Sequence, residues 1–181
     1  SANTAMYRNY LKNIKAKNIA YKTLKKGDTF TLGDDVTFTV LSPGKPFTKE
    51  NTQGVSESGL TNDNSIVCKM TYGQFSMMFT GDAQKEVEDK ILKDYKPADL
   101  KSDVLKVGHH GSKTSSSDAF VKAIAPKAAT ISCAAGNQYK FPHEPTLKTL
   151  QKYNVEVYRT DRNGVITITT DGSSYSIEKE H

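Results

Sequence analysis

SDVLKVGHHGSKTSSS, residues 102–117, is the stretch that decides how this chain folds. Val104, Leu105 and Val107 form a short apolar run of the kind that a strand buried on both faces requires. Gly108 ends the run, and His109, His110 and Gly111 follow at once. The chain has four histidines in 181 residues, and two of them stand side by side here. An apolar strand gains nothing from ending in two imidazoles, whereas neutral imidazole is the commonest metal ligand and a ready proton carrier near neutral pH. The flanking glycines permit a tight, close-approach backbone. If the pair stays extended, its rings point to opposite sides, so one histidine enters a site and the other supports it.

Two further polar clusters also sit where a strand-like run ends. They are FTGDA, with Asp82, and GNQYKFPHEP, with Asn137, Tyr139 and His143. Strand ends are where loops converge and sites are built in α/β folds. Each cluster has a plainer role as well. Asp82 suits the N-cap of the helix that follows, and His143 suits a surface loop or helix entry. The hydroxyls of Ser112, Thr114 and Ser115 suit either a phosphate or a turn and helix cap.

Periodicity supplies the frame. Residues 3–18 fit a helix capped by Asn3, with Tyr7, Leu11 and Ile14 on one face. VTFTVLS alternates, placing Val36, Phe38 and Val40 on one side of a strand. Residues 43–64 are polar and rich in Gly, Ser, Thr and Asn, which predicts a long loop. A hairpin turns at Tyr72-Gly73, and AQKEVEDKILKDY follows as an amphipathic helix burying Val87, Ile91 and Leu92. SDAFVKAIAPK is a helix capped by Ser116 or Ser117, AATISCAAG a buried strand, and EPTLKTLQKYN a helix with Pro145 near its start. Three short strands close the chain, the first two meeting at an Asp161–Gly164 turn. Strands alternating with helices, then a strand pair, predict a single layered α/β domain or part of one, without repeats.

Composition narrows the classes. Hydrophobic residues at 36% and charged residues at 25% are ordinary for a soluble domain. No apolar run is long enough to span a bilayer, and the opening SANTAMYRNYLKNIKAK has no signal-peptide pattern. A net charge of +5 suits a polyanionic partner such as nucleic acid or an anionic cell wall, and equally a lysine-rich solvated surface. Cys68 and Cys133 lie in apolar contexts with no CxxC pair, which predicts free buried thiols rather than a cysteine zinc site.

In order, FTGDA, DVLKVGHHGSKTSSS and GNQYKFPHEPTLKTLQKYNVEVYRTDRNGVITI resemble the metallo-β-lactamase-fold domain of ComEC-type DNA-uptake competence proteins. The pattern also resembles related extracellular hydrolases, choline-phosphate esterases among them. The resemblance spans about residues 62–170. It implies an αββα sandwich with a centre of two divalent metal ions, Zn or Mn, at one edge. The aspartate of TGD, here Asp82, would bridge the ions. The histidine of GHHGS would ligate one of them, with His109 the first assignment and His110 the close alternative. Ser112, Thr114, Asn137, Tyr139 and His143 would be substrate-side groups. Such ions lower the pKa of a bound water and stabilise a developing phosphate oxyanion.

One departure matters. The fold's HxHxDH signature, which carries most of the metal ligands, is absent, and the first 81 residues contain no histidine. The expectation is therefore the C-terminal part of a metallo-β-lactamase-like domain, with a paralogue that lost its metal site as the other account. Two to three potential ligands fall short of a catalytic zinc, which takes three protein ligands plus water. The chain alone is expected to bind metal weakly and to hydrolyse nothing. Its parent is expected to be a phosphodiesterase or nuclease acting on single-stranded DNA at the extracellular face of a bacterial membrane. The alternatives are a secreted phosphoesterase and a non-catalytic module that binds DNA or another anionic polymer. An incomplete sandwich would expose apolar surface and an open edge, which predicts a homodimer.

Overall fold

A computed structural model describes residues 4–52 and 56–181. Four strands, β1 (Thr29–Leu32), β2 (Val36–Ser42), β3 (Val67–Tyr72) and β4 (Phe75–Phe79), run as an antiparallel meander. Three more, β5 (Val104–Lys106), β6 (Ala128–Ile131) and β7 (Glu156–Arg159), continue the sheet parallel to β4. The spatial order equals the chain order, β1 to β7. Right-handed crossovers that always advance in one direction put every connecting helix on one face.

The core shows this directly. The helices before β1 and before β3 are α1 (Ala5–Ala16) and α2 (Glu57–Asp63). The crossover helices are α3 (Lys85–Asp94), α4 (Pro97–Leu100), α5 (Asp118–Ile124) and α6 (Glu144–Lys152). Val87, Ile91, Leu100, Phe120, Ile124 and Leu150 from these helices bury against Met78, Leu105, Ala129 and Ile131. The residues just before those strand positions, Met77, Val104 and Ala128, face the other way, with Phe75. There they meet Ile168, Tyr175 and Ile177 of a separate hairpin, β8 (Ile166–Thr170) and β9 (Tyr175–Lys179). The period of two along a strand thus separates two cores, which is why Val104-Leu105 is apolar on both sides.

The expected hairpin, crossover helices and buried strands form where the pattern placed them. Two local expectations do not survive, and a third holds only in position. The 43–64 segment is not all loop: Ser56 caps α2 by accepting the Gly59 N–H through its hydroxyl, at 3.1 Å. Asn64 then holds the segment by bonding both the N–H and the C=O of Phe47. β7 does not turn into β8; a short helix, α7 (Thr160–Asn163), intervenes, and β8 pairs with β9 instead. At α5, Ser117 occupies the N-cap without a side-chain capping bond. The N–H groups of Ser116 and Ser117 go to the buried carboxylate of Glu88 on α3, at 2.5 and 2.8 Å.

At the N-terminal end, Asn3 lies outside the described residues, and Thr4 caps α1 by accepting the Tyr7 N–H at 3.2 Å. None of the residues of α1 is buried. Both cysteines are free thiols, Cys68 buried and Cys133 half-buried. Among the described residues no helix is long and apolar enough to cross a membrane.

Candidate active site

Because β4 to β7 are parallel, the loops leaving their C-terminal ends gather at one rim of the sheet. They enclose a cleft of about 870 Å³ lined by Asp82, His109, His110, Ser112, Asn137, Tyr139 and His143. Every proposed site residue except Thr114 therefore lines one cleft. Thr114 is one contact away, its Oγ1 3.4 Å from Nδ1 of His109.

The loops are stitched together before any side chain enters the cleft. Thr80 Oγ1 donates to the Lys106 carbonyl at 2.7 Å, and the His109 N–H donates to the Gly81 carbonyl at 2.9 Å. Ser115 Oγ donates to the Ala83 carbonyl at 2.7 Å, and Thr146 Oγ1 to the Ser112 carbonyl at 3.0 Å. The hydroxyl run is thus largely architectural, with Ser112, Ser115 and Ser116 all buried. Gly111, at φ +84°, passes so close to Pro142 that a Cβ would sit 2.5 Å from the proline Cβ.

Asp82 does not cap α3, whose N-cap is Gln84. Its carboxylate is 41% exposed and faces Nε2 of His110 from 3.7 Å. The two histidines do not alternate, because the segment is not extended: His109 and His110 both take left-handed backbone, at φ 47° and 55°. That turn brings both rings to the cleft, with centroids 6.5 Å apart.

His110 Nδ1 lies 2.7 Å from the Ser132 carbonyl. A carbonyl only accepts, so Nδ1 carries a proton, and Nε2 is the nitrogen that faces Asp82. A carboxylate opposite that nitrogen is satisfied by a cation between them, whether the proton of an imidazolium or a metal ion. Asp82 Oδ1 and His110 Nε2, 3.7 Å apart, are the two atoms that could hold a metal ion here. This is the arrangement of a metal-ligating imidazole whose outer nitrogen is tied down. His109 has a longer contact, 3.4 Å from Nδ1 to the Thr114 hydroxyl, which can donate or accept and so does not fix its tautomer. Burial pulls its pKa down, reinforced by His110 and His143 and opposed by Asp82.

His143 is committed on both sides. Its Nδ1 accepts the Lys113 N–H at 3.0 Å, so Nε2 carries the proton, donated to the Tyr139 carbonyl at 3.1 Å. Asn137 is equally occupied: its amide donates to the Ala134 and Phe141 carbonyls and accepts the Phe141 N–H. Both residues hold the 134–143 loop rather than offer free groups to the cleft.

Part of the lining comes from residues outside the three polar clusters. Ser58 and Asn62 come from α2, whose helix was hidden in a polar stretch. Ser132, Cys133 and Thr160 come from the ends of β6 and β7, while Phe141 belongs to the FPH motif of the third cluster. Cys133 Sγ donates to Asp161 Oδ1 at 3.2 Å, and Arg159 grips the same carboxylate through two bonds of 2.9 and 2.6 Å. Among the described residues, no three or more His, Cys, Asp or Glu side chains converge as a metal-holding group. Asp82 and His110 are a pair.

The fold defines the class. A chain of Parabacteroides distasonis assigned as a metal-dependent hydrolase superposes with a TM-score of 0.50 at 15% identity, over 82% of this chain and 61% of that one. The mixed seven-stranded sheet with its helices and site loops at one rim is a hydrolase-like α/β fold, consistent with the metallo-β-lactamase-like architecture.

The sequence comparisons go further. ComE operon protein 3 of Bacillus subtilis is 36% identical over 156 residues, 86% of this chain and 18% of that protein. Competence protein ComA of Neisseria gonorrhoeae is 34% identical over 58% of this chain and 15% of its own length. Recombination protein 2 of Haemophilus influenzae is 33% identical over 72% and 15%. No protein-family model matches. The chain is a homologue of one segment of the ComEC-type competence proteins, with a hydrolase-like fold. It spans less than a fifth of the length of these relatives. The 156 matched residues also exceed the 62–170 stretch in which the motifs lie.

Proposed function

We propose that the chain is the C-terminal part of a metal-dependent phosphodiesterase domain that acts on DNA during its uptake, at the outer face of a bacterial membrane. The observation that carries this is the fixed His110 ring presenting Nε2 to Asp82 across 3.7 Å inside the cleft. These two residues would hold the ion, with His110 taking the ligand role ahead of His109. A divalent ion there would lower the pKa of a bound water and offset charge on a phosphate oxygen. Asp82 stands at the rim, His110 is oriented by Ser132, and Phe141 and Tyr139 line the same cleft. The remaining ligands would come from an HxHxDH-bearing segment.

The test compares the 181-residue chain with a longer protein that includes such a segment, using single-stranded DNA and bis(p-nitrophenyl) phosphate with Zn²⁺ or Mn²⁺. Activity in the longer protein, lost on Asp82→Asn, is expected, with none in the 181-residue chain. Cleavage by the 181-residue chain itself, or a longer protein indifferent to Asp82, sinks the proposal. Salt-sensitive DNA binding with no metal dependence in either would favour the non-catalytic binding module.

A further inference from the structure

Three rings at the cleft lie nearly parallel. Tyr139 and Phe141 have centroids 5.4 Å apart at 20°, and Phe141 and His110 are 6.2 Å apart at 21°. These separations lie within the range of favourable offset stacking. Phe141, in the middle, is braced edge-on by His143 at 5.1 Å and 77°, and by His109 at 5.5 Å and 62°. Its backbone is held on both sides by Asn137. The row is therefore preorganised, and little entropy remains to be lost when something is laid on it.

Tyr139, at the outer end, is 63% exposed and forms no side-chain hydrogen bond among the described residues. One face rests on Phe141 and the rest is open, so packing explains little of its presence. At the inner end, His110 meets Asp82. Lys113 and Lys140, both exposed, flank the row in the two loops that His143 ties together.

We infer that Tyr139, Phe141 and His110 form a stacking platform that takes an unpaired nucleobase on Tyr139 and feeds the adjoining phosphate toward Asp82. The inference rests on the nucleic-acid reading above and adds what selects the strand. Every base has a π-face, so the platform tolerates any sequence. A base within a duplex is already stacked on its neighbours, so the platform requires a single strand. The charge that attracts the backbone and the ring that holds the base are then separable contributions.

That separation gives the test. The chain has no tryptophan, so Tyr139→Trp introduces a single fluorescent reporter at the platform. Two probes are titrated: a short oligothymidylate, and an abasic strand with the same number of phosphates. Oligothymidylate is expected to quench the Tyr139→Trp emission and the abasic strand to leave it unchanged. Tyr139→Ala should weaken oligothymidylate binding about tenfold and abasic binding hardly at all, while Tyr139→Phe retains wild-type affinity.

Equal binding of both probes by wild type and Tyr139→Ala overturns the platform but leaves the nucleic-acid reading standing. Unmoved tryptophan emission with bound oligothymidylate does the same. If neither probe binds wild type at low salt, both fall together.

Discussion

His110 presents Nε2 to the Asp82 carboxylate across 3.7 Å because its other nitrogen is given to the Ser132 carbonyl at 2.7 Å. The backbone of β6's exit loop therefore sets the tautomer of a side chain that belongs to β5's exit loop. The left-handed turn at His109 and His110 makes this possible, since an extended pair would send one ring away from the cleft. A carboxylate and an imidazole nitrogen facing one another are the two groups that the proposed function assigns to a cation.

From this the two histidines should differ. Zn²⁺ or Mn²⁺ binding to the chain, measured by competition with a metal-indicator dye, is expected to be weak. His110→Ala and Asp82→Asn should each reduce it at least about tenfold, whereas His109→Ala should change it only a few-fold. The reverse order would show that His109 is the ligand and that the Ser132 bond is incidental.

Gly111 should be irreplaceable for a steric reason that Gly136 does not share. At φ +84°, an alanine is strained by about 1–3 kcal/mol, and its Cβ would lie 2.5 Å from that of Pro142. Gly136, at φ +66°, has nothing within 4 Å of the same atom, so Gly136→Ala pays the strain alone. Gly111→Ala should lower the melting temperature by roughly 5 °C or more, and Gly136→Ala by about half of that. Equal losses would mean that the Gly111–Pro142 approach relaxes without cost.

Most of the frame was legible in the chain itself. Val104-Leu105 and Ala128-Ala129 are apolar on consecutive positions because two cores flank the sheet, and amphipathic helices separate them. The meeting of three polar clusters in one cleft was legible too, since parallel strands must deliver their exits to one rim. What stayed hidden depends on contacts between distant segments. The α5 start is served by Glu88, 28 positions before Ser116, and local capping rules cannot see that. Likewise the orientation of the His110 ring is set by a carbonyl 22 positions later. The helix α2 was masked by its polar composition, and Ser56 was its one local signal.

Two buried carboxyls should make stability fall as pH rises. Burial lifts Glu88 above its ordinary value of 4.5, although the Ser116 and Ser117 bonds oppose the shift. Burial likewise lifts Asp63, whose Oδ2 has no hydrogen-bond partner. The folded state then holds these protons more tightly than the unfolded state does. Their contribution is complete below the ordinary carboxyl range and declines as pH rises through the raised values. Other carboxylates, Asp161 among them, are lowered and act in the opposite direction, so the comparison must be with variants. Urea midpoints of Glu88→Gln and Asp63→Asn should match wild type most closely in acid and gain on it toward neutral pH. A constant offset at every pH would show that neither group titrates differently on folding.

Cys133 lines the cleft yet should be a poor nucleophile. Burial raises its thiol pKa, and donation to Asp161 and that residue's negative charge raise it further, with Arg159 opposing weakly. The thiolate is the reactive form, so alkylation at neutral pH should be slow despite partial exposure. Asp161→Asn removes the charge and leaves Arg159 beside the sulfur, two changes that both favour thiolate. Iodoacetamide labelling of Cys133, followed by peptide mass spectrometry, should accelerate several-fold in Asp161→Asn, with the buried Cys68 unchanged as the internal control. If Cys68 accelerates equally, the variant has loosened the fold; if neither does, Asp161 does not govern the thiol.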